Sequence, residues 1–485
     1  MKASTLLIPL LCLILVAAAA DAQQIIQVTK TTTKNQQGPH ISPDGSMLIW
    51  GEQDTGNTYD HFVFAADTKT LVPNQITFTP HQSSSSPNQW QISGDGKTVV
   101  FVNNYDLWKV PSSGGTPTQL TNFGGPPGIV NYAYPISLSH DGSKACFTYF
   151  YYTSSPTTIR TYDLYVLDTN TKKITNVTQA APNSNDLVTA WISGDGKTVT
   201  FTQKRSGTYP EVWLAASDGT NIRQLTTMAV ARTYYPQIDA NSKICAFASW
   251  PSSNYDVYTI LTDGSFLTTI SAPNNTDSDY APQVSADGER VIWKSGVSSS
   301  TGDLFMNFPE GGNLRQLTQF GNIPPLYGNV GAALNGDGTM AVFNSKFDYN
   351  GGNPDGNLEI YLWKDALTRT GVAQPGNTID FNIEAPVHAG EVYQMACSAF
   401  RSPGIPLPGA GVVPLTPDAL FFFSISAPAV FQNFAGVLDA SGKATGKVAI
   451  PNIAGLSGFA FQTSFITVGT NNVITIYNPV KVTIQ

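Results

Sequence analysis

Short runs of alternating apolar and polar residues, separated by turns, recur through most of the chain. The pattern is clearest in residues 282–293, where Pro-Gln-Val-Ser is followed by Ala-Asp-Gly and later by Val-Ile-Trp. Alternation with period two, in runs rich in β-branched and aromatic residues, predicts β-strands, and an Asp-Gly pair between two such runs predicts a hairpin turn. Helical periodicity is absent from this region, so we expect an all-β fold.

The hairpin is one part of a unit that occurs seven times between residues 38 and 363. Its corners are 45 to 54 residues apart, and the corner at Ala240-Asn241 is a degenerate copy without the Asp-Gly pair. The Asp-Gly corners begin at Asp44, Asp95, Asp141, Asp195, Asp287 and Asp337. A third strand and an outer strand of the type Gln-Leu-Thr complete the unit. This is the length of one four-stranded propeller blade.

The seventh unit has no outer strand after its third strand, and the missing copy stands at the other end of the chain. The sequence Ile26-Gln27-Val28-Thr29 has the outer-strand pattern. We therefore expect a seven-bladed β-propeller in which the N-terminal strand completes the last blade. Such closure removes the exposed sheet edges that an open array would leave.

The corner Ser42-Pro43-Asp44-Gly45, together with the outer Gln-Leu-Thr, resembles the WD-type propeller repeats of TolB, an exported bacterial protein, and those of the prolyl oligopeptidase family. The resemblance covers about 340 residues and implies a TolB-like β-propeller. TolB also carries an N-terminal α/β domain and six blades, so the resemblance does not extend to its role in the cell envelope. The chain has no Gly-x-Ser-x-Gly motif, which excludes a prolyl peptidase.

The two ends of the chain differ from the repeats. Lys2, an apolar run over residues 6–20 and the step Ala20-Asp21-Ala22 predict a signal peptide of residues 1–22. No later run has the roughly 18 apolar residues of a membrane span. We expect an exported protein without membrane insertion, periplasmic or extracellular, with the propeller over residues 23–369.

From residue 370 onward the composition changes, and the corner and outer-strand pattern stops. Strand-like runs cover residues 378–383, 391–398, 419–425, 443–450, 458–467 and 472–484. Residues 370–485 are therefore predicted to form a C-terminal β-sandwich domain. The segment around Gly436–Ile450 resembles a C-terminal module appended to many exported bacterial proteins, which implies no enzymatic activity.

Charge and cysteine content exclude several classes of function. The net charge is −8, whereas nucleic-acid binding favours a basic stripe. Beyond the signal peptide the cysteines are Cys146, Cys245 and Cys397, an odd number without the close spacing of a zinc site or disulfide framework. We expect buried thiols at the first two, and no cofactor.

The candidate ligand site is the channel of the propeller, which the first strand of each blade lines. Two positions before the Ser of each corner, the repeats place mostly polar, uncharged side chains: His40, Gln91, Ser137, Trp191, Gln237 and Gln283. Such a ring is suited to a neutral ligand or a peptide, or to water alone.

Two further groups of residues are candidate sites. Tyr149, Tyr151 and Tyr152 with Arg160 mark an aromatic segment that is suited to contact with a partner or a sugar, although strand alternation would bury half of it. Asp348, Asn350, Asn353 and Asp355 gather oxygen atoms that suit calcium, and the alternative is a turn-rich connection.

The hypothesis that best fits these features is an exported, non-catalytic binding scaffold that acts through a propeller face or the channel, as a monomer. Its partner would be a protein or glycan of the envelope or exterior. The alternative is a polysaccharide-active enzyme similar to oligogalacturonate lyases, which are seven-bladed and use histidines and a metal in the channel; His40 favours it. In a third hypothesis the propeller is a structural spacer and the C-terminal domain is an anchor.

Overall fold

A computed structural model describes residues 24–54, 60–77, 81–82, 90–103, 106–123, 132–153, 159–178, 189–204, 209–228, 232–251, 254–271, 277–298, 301–319, 332–348, 351–470 and 472–485. The chain divides into one compact unit of Ile25–Trp363 and another that contains Lys364–Gln485. Both units are built almost entirely of antiparallel strands, as the alternating sequence predicts.

The first unit contains strands β1 to β29. In chain order they are β1 Gln24–Gln27; β2 Lys34–Ile41, β3 Met47–Asp54, β4 Asp60–Asp67, β5 Asn74–Gln75, β6 His81–Gln82; β7 Trp90–Ile92, β8 Thr98–Asn103, β9 Asp106–Pro111, β10 Thr118–Gln119; β11 Tyr132–Leu138, β12 Lys144–Thr153, β13 Ile159–Asp168, β14 Ile174–Asn176; β15 Ala190–Ile192, β16 Thr198–Gln203, β17 Glu211–Ala216, β18 Arg223–Gln224; β19 Arg232–Ile238, β20 Ile244–Trp250, β21 Asp256–Leu261, β22 Thr268–Thr269; β23 Ser278–Val284, β24 Val291–Ser298, β25 Thr301–Asn307, β26 Arg315–Gln316; β27 Ala332–Leu334, β28 Met340–Ser345 and β29 Glu359–Lys364.

Consecutive strands form sheets of four in which neighbours in sequence are neighbours in space. Six sheets have the orders β2-β3-β4-β5 (with β6 beside β4), β7-β8-β9-β10, β11-β12-β13-β14, β15-β16-β17-β18, β19-β20-β21-β22 and β23-β24-β25-β26. A further sheet has the order β1-β29-β28-β27, so the N-terminal strand occupies the outer position beside the last repeat, as the sequence predicts.

The outer Gln-Leu-Thr motif has a specific structural role. In each of these sheets the hydroxyl of its Thr, or of a Ser in the same place, accepts the N–H of a residue in the third strand at 2.9–3.1 Å. The pairs are Val63 with Thr77, Leu107 with Thr121, Leu164 with Thr178, Val212 with Thr226, Val257 with Ser271, Leu304 with Thr318, and Ile360 with Thr29. The N-terminal Thr29 therefore repeats the bond made in every other sheet.

The Asp-Gly corners are joined to one another by backbone hydrogen bonds. In each repeat the carbonyl before the Asp accepts an N–H from the corner of the preceding repeat, at 2.7–3.0 Å. The bonds run from Asp44 to Gly94, Gly94 to His140, His140 to Gly194, Asp195 to Ala240, Ala240 to Ala286, Asp287 to Gly336, and Gly336 back to Pro43. This closed circle, the corner ring, returns to the first repeat after passing through all the others.

The corner carboxylates are engaged within their own turns. The Oδ1 of Asp95 accepts the Ser93 hydroxyl at 2.8 Å and the Lys97 N–H at 3.1 Å, and the same pattern recurs at other corners. The glycine that follows takes a positive φ, +69° at Gly96. The interpretation of the Asp-Gly pairs as turns is confirmed.

The described residues of the second unit form two main sheets and one α-helix. Its elements are β30 Leu367–Thr370, β31 Thr378–Glu384, β32 Val392–Ser398, β33 Ile405–Leu407, β34 Gly411–Val413, α1 Ala419–Ser426, β35 Phe431–Gln432, β36 Ala435–Val437, β37 Lys443–Ala449, β38 Ala460–Val468, β39 Ile474–Ile476 and β40 Val480–Thr483, with 3₁₀ turns at Pro386–His388 and Ala454–Leu456. The sheets are β30-β31-β37-β35 and β36-β32-β38-β39, with β40 beside β38, and β33 pairs with β34. Side chains of both main sheets share one buried cluster that includes Phe381, Met395 and Phe465.

One predicted strand of this unit is wrong. Residues 419–425 form helix α1, which begins after Asp418, whose carboxylate accepts the Phe421 N–H at 2.8 Å. A run of apolar residues carries no period that separates helix from strand, and the N-cap decides the outcome here. Among the described residues, no helix has the length and apolar character needed to cross a bilayer. Cys146 and Cys245 are buried free thiols, as predicted.

Candidate functional site

A central cavity lies where the first strands of the repeats converge. The empty space within it and at its open ends together amounts to about 600 Å³. Its lining residues come from each of the sheets described above for the first unit: His40, Ile41, Pro43, Gln91, Ile92, Leu138, His140, Trp191, Ile192, Gly194, Gln237, Ile238, Ala240, Gln283, Val284, Ala286, Ala333, Leu334 and Gly336. Several of these are corner-ring residues, so that ring borders the cavity.

Five of the six residues predicted to face the channel line this one cavity: His40, Gln91, Trp191, Gln237 and Gln283. They lie at the same position of their first strands, two residues before the corner Ser or its equivalent. In β2, β19 and β23 that position directly follows a β-bulge, whereas the pairing of β7 and β15 shows no register shift. The structure therefore brings them together from widely separated parts of the sequence. Their binding role stays a prediction.

Ser137 lies elsewhere. Its side chain is fully buried, and its hydroxyl accepts the N–H of Ile192 in the next sheet at 2.8 Å. It also contacts the thiol of Cys146, whose pKa is raised by burial. Ser137 thus joins two sheets and is not among the cavity-lining residues.

His40 is the most deeply buried ionisable group of the lining. Burial lowers its pKa from 6.5 to about 4, so the imidazole is neutral at physiological pH. Its side chain is 3% exposed, and its Nε2 has no hydrogen-bond partner among the described residues. An unsatisfied buried nitrogen is costly, so a bound water or ligand atom that pairs with it would be stabilising.

The glutamine amides offer further hydrogen-bonding groups. Gln91, Gln237 and Gln283 are 6–7% exposed. The Oε1 of Gln91 accepts the N–H of Ile92 at 3.0 Å. The Nε2 of Gln283 has no partner within the described part of the chain. The cavity therefore presents amide groups with unused capacity.

His140 is a lining residue whose contribution the sequence did not reveal. It precedes Asp141 in its corner, where other repeats carry Pro, Gly or Ala, so the sequence alone is consistent with a turn residue. Its imidazole packs over Gly194, at which a Cβ would lie 2.7 Å from the ring. Burial lowers the pKa of His140, although the charges of Asp141 and Asp195 oppose the shift. The sequence feature that could have identified it is a histidine at a corner position where the other repeats carry Pro, Gly or Ala.

The lining carries no formal charge at neutral pH: it contains no Asp, Glu, Lys or Arg side chain among the described residues. Nor do those residues contain a group of three or more His, Cys, Asp or Glu side chains that could hold a metal ion. What the cavity offers is imidazole, amide and indole groups. These recognise uncharged polar molecules through hydrogen bonds.

The aromatic segment of the third repeat is placed partly in the core. Tyr149 is 8% exposed and contacts Phe123, with ring centroids 4.7 Å apart, and Tyr165. Burial raises its pKa to about 12. The side chains of Tyr151, Tyr152 and Arg160 lie outside the described residues, so their role as partner contacts stays a prediction.

The candidate calcium loop forms hydrogen bonds of its own. Asp348 accepts the N–H of Asn353 at 2.7 Å, and the Asn353 amide donates to the carbonyl of Asn357 at 2.9 Å. Asp355 is exposed, and Asn350 lies outside the described residues. These contacts fit the turn-rich alternative, and calcium binding by this loop stays a prediction.

No protein-family model matches the chain, and no protein of curated function matches its sequence. Solved structures do match. An oligogalacturonate lyase in complex with manganese is 16% identical, with a TM-score of 0.55, over 72% of this chain and 94% of that chain. The oligogalacturonate lyase of Vibrio parahaemolyticus is 14% identical, with a TM-score of 0.53, over 70% and 93%.

A puromycin-hydrolyzing peptidase of Mycobacterium tuberculosis is 13% identical, with a TM-score of 0.50, over 76% of this chain and 60% of that chain. Structures of TolB are also among the matches. At such low identity the likeness concerns the fold alone. The chain thus has an all-β fold of the propeller type.

Proposed function

We propose that the first unit is a seven-bladed β-propeller closed by its N-terminal strand. The closed corner ring and the repeated hydroxyl bond, which includes Thr29, support this count. The second unit, predicted from residue 370, is proposed to be a β-sandwich, which the shared buried cluster of its two sheets supports. Residues 1–22 would direct export to the periplasm or exterior.

The protein is proposed to be a non-catalytic binding scaffold whose central cavity holds a neutral, polar ligand. The observation that carries this proposal is the uncharged lining with unused hydrogen-bonding capacity, above all the Nε2 atoms of His40 and Gln283. A charged ligand would leave its hydration shell without gaining an opposite charge, which is unfavourable. A neutral ligand with hydroxyl or amide groups exchanges hydrogen bonds with water for equivalent ones.

A lyase that acts on oligogalacturonate is the second candidate function. The observation that favours it is the presence of two imidazoles, of His40 and His140, in one cavity, since a neutral histidine can accept a proton. An oligogalacturonate carries a carboxylate on each sugar, however, and the described lining supplies no cation to neutralise it. The binding scaffold is therefore preferred.

Calorimetric titration of the mature chain with matched neutral and acidic compounds tests the choice. The probes are galactose, N-acetylglucosamine and N-acetylalanine amide, with galacturonate as the anionic counterpart of galactose. We expect a neutral probe to bind and galacturonate not to bind. The variants Gln237→Leu and Gln283→Leu should weaken binding about tenfold, the size expected for lost hydrogen bonds.

Gln432→Leu, at an exposed glutamine of the second unit, is the matched control and should bind normally. Formation of unsaturated sugar, followed by ultraviolet absorbance after addition of polygalacturonate with manganese, would instead support the lyase. Equal affinity of the Gln237 and Gln283 variants and the parent protein would contradict a ligand in this cavity.

A further inference from the structure

Five aromatic side chains form a cluster that belongs neither to the central cavity nor to the cores of the sheets. Tyr255 lies at its centre, with ring centroids 5.2 Å from Tyr280, 5.4 Å from Trp250 and 6.1 Å from Tyr234; Tyr235 lies 6.0 Å from Tyr234. We call these residues the aromatic cluster. Trp250 is 40% exposed, and the four tyrosines are partly exposed.

The cluster is not explained by the packing that builds the repeats. Each of five sheets stacks one aromatic of its second strand on one of its third strand, with ring planes within 14–21° of parallel: Trp50 on Phe64, Phe147 on Tyr165, Phe247 on Tyr258, Trp293 on Phe305 and Phe343 on Tyr361. These are cross-strand pairs of the core. Members of the aromatic cluster lie outside those pairs and outside the buried clusters.

The position of the cluster follows from strand direction. Tyr234 and Tyr280 lie in the first halves of the innermost strands β19 and β23, whose far ends lead into the corner ring. Trp250 ends the second strand β20, and Tyr255 immediately precedes β21. All of them therefore lie toward the ends of their strands that are remote from the corners. The cluster and the corner ring are on opposite faces of the first unit.

The backbone beneath the cluster is in an unfavourable conformation. Tyr235 has φ of +56° and Ala281 has φ of +48°, each at a β-bulge of its first strand. The corresponding bulge of β2 places Gly38 there, with φ of +53°. A non-glycine residue at such a φ costs about 1 kcal/mol or more. β-Bulges often redirect side chains next to functional sites. At this strained position the chain carries Tyr235, an aromatic residue, and not a glycine.

We propose that the aromatic cluster binds the sugar rings of a neutral glycan. One face of a pyranose carries C–H groups that pack against an aromatic ring, and its hydroxyls pair with polar groups at the ring edges. Trp250 offers an exposed indole, and the four tyrosines of the cluster supply phenol hydroxyls. Tyrosine and tryptophan combine an apolar surface with a hydrogen-bonding end, which this chemistry requires.

Charged groups of both signs lie near the cluster. The charge of Arg232 opposes the rise in the pKa of Tyr255, Asp256 follows Tyr255 and Asp279 precedes Tyr280, and burial raises the pKa of both carboxyls. Burial also raises the pKa of Tyr255 to about 12, so its phenol stays neutral. A nucleic acid would stack on the same rings, but the net charge of −8 opposes a polyanion. A neutral glycan remains the occupant that the surroundings favour.

The test is calorimetric titration of the mature full chain with cellohexaose, xylohexaose and N-acetylchitohexaose. We expect at least one hexasaccharide to bind, and Trp250→Ala and Tyr255→Ala to raise its Kd about tenfold or more. Tyr255→Phe keeps the ring and should bind within a few-fold of the parent. Phe266→Ala is the matched control and should not change the Kd. Phe266 is a 78% exposed aromatic between β21 and β22, in the sheet that also contains Tyr234 and Trp250.

Several results would overturn the glycan site. They are no binding of any hexasaccharide, unchanged affinity in both alanine variants, or tighter binding of oligothymidylate or oligogalacturonate that the same variants abolish. Thermal unfolding of each variant checks its fold; if Tyr255→Ala does not fold, the exposed Trp250→Ala carries the test. Gln237→Leu should leave hexasaccharide affinity unchanged, which separates this site from the central cavity.

Discussion

His40 provides a quantitative test of how dry the central cavity is. The pKa of its imidazole is about 4 in the folded protein and 6.5 when exposed, because burial disfavours the charged form. Below pH 6.5 the unfolded chain binds a proton that the folded chain does not bind, so the free energy of unfolding falls until pH reaches about 4. At about 1.4 kcal/mol per pKa unit, the loss amounts to about 3 kcal/mol.

The variant His40→Gln removes this titration and keeps a polar side chain. Urea unfolding at pH 7, 6, 5 and 4 should show that stability falls less steeply in His40→Gln than in the parent. The difference should grow to about 3 kcal/mol near pH 4. Other titrating groups are common to both proteins and cancel in the comparison. Parallel pH profiles would contradict a desolvated His40, because they would show that water or a counter-charge solvates its imidazole.

Three further outcomes are expected. Thr29→Val should lower the free energy of unfolding by about 2–4 kcal/mol, because the Ile360 N–H loses its buried acceptor and the Glu359 carboxylate loses a donor. Thr29→Ser keeps the hydroxyl and should retain most of the stability. Equal midpoints of urea unfolding for the parent and both variants would contradict this role of Thr29. Gly51→Ala should lower the free energy of unfolding by about 1–3 kcal/mol, because the new Cβ would lie 2.2 Å from the ring of Trp90. The control is Gly455→Ala, whose Cβ would meet no atom within 4 Å, and the melting temperatures of the two variants are compared with that of the parent. The melting temperature should be the same in calcium chloride and in EGTA, because the loop that contains Asp348 and Asn353 is held by its own hydrogen bonds. A higher melting temperature in calcium chloride would support calcium binding by this loop.

The repeat pattern predicts the positions that converge in the first unit because every copy has the same register. Once the corner Ser is located, the residue two positions earlier is defined in each strand. His40 and Gln283 could thus be assigned to one place although 243 residues separate them. The outer Thr was recognised only as a motif, and its bond to the third strand required the structure.

Features that do not repeat were the ones the sequence failed to predict. Helix α1 is apolar on most of its residues, so no period distinguished it from a strand, and its Asp418 cap went unrecognised. The aromatic cluster is assembled from three separate segments at the remote ends of strands, and no local spacing marks it. The adjacent aromatics around Tyr149 predict a contact segment, yet Tyr149 itself packs in the core.

A crystal structure of the mature chain with its best-binding neutral probe is the most direct test of the central cavity. The bound molecule should lie among the first strands, with a polar atom about 2.7–3.2 Å from the amide nitrogen of Gln283 and another near the Nε2 of His40. A metal ion bound by His40 and His140, with an acidic sugar beside it, would contradict the neutral-ligand scaffold and support the lyase. A cavity that contains water alone while the probe is bound elsewhere would contradict a ligand site in the cavity.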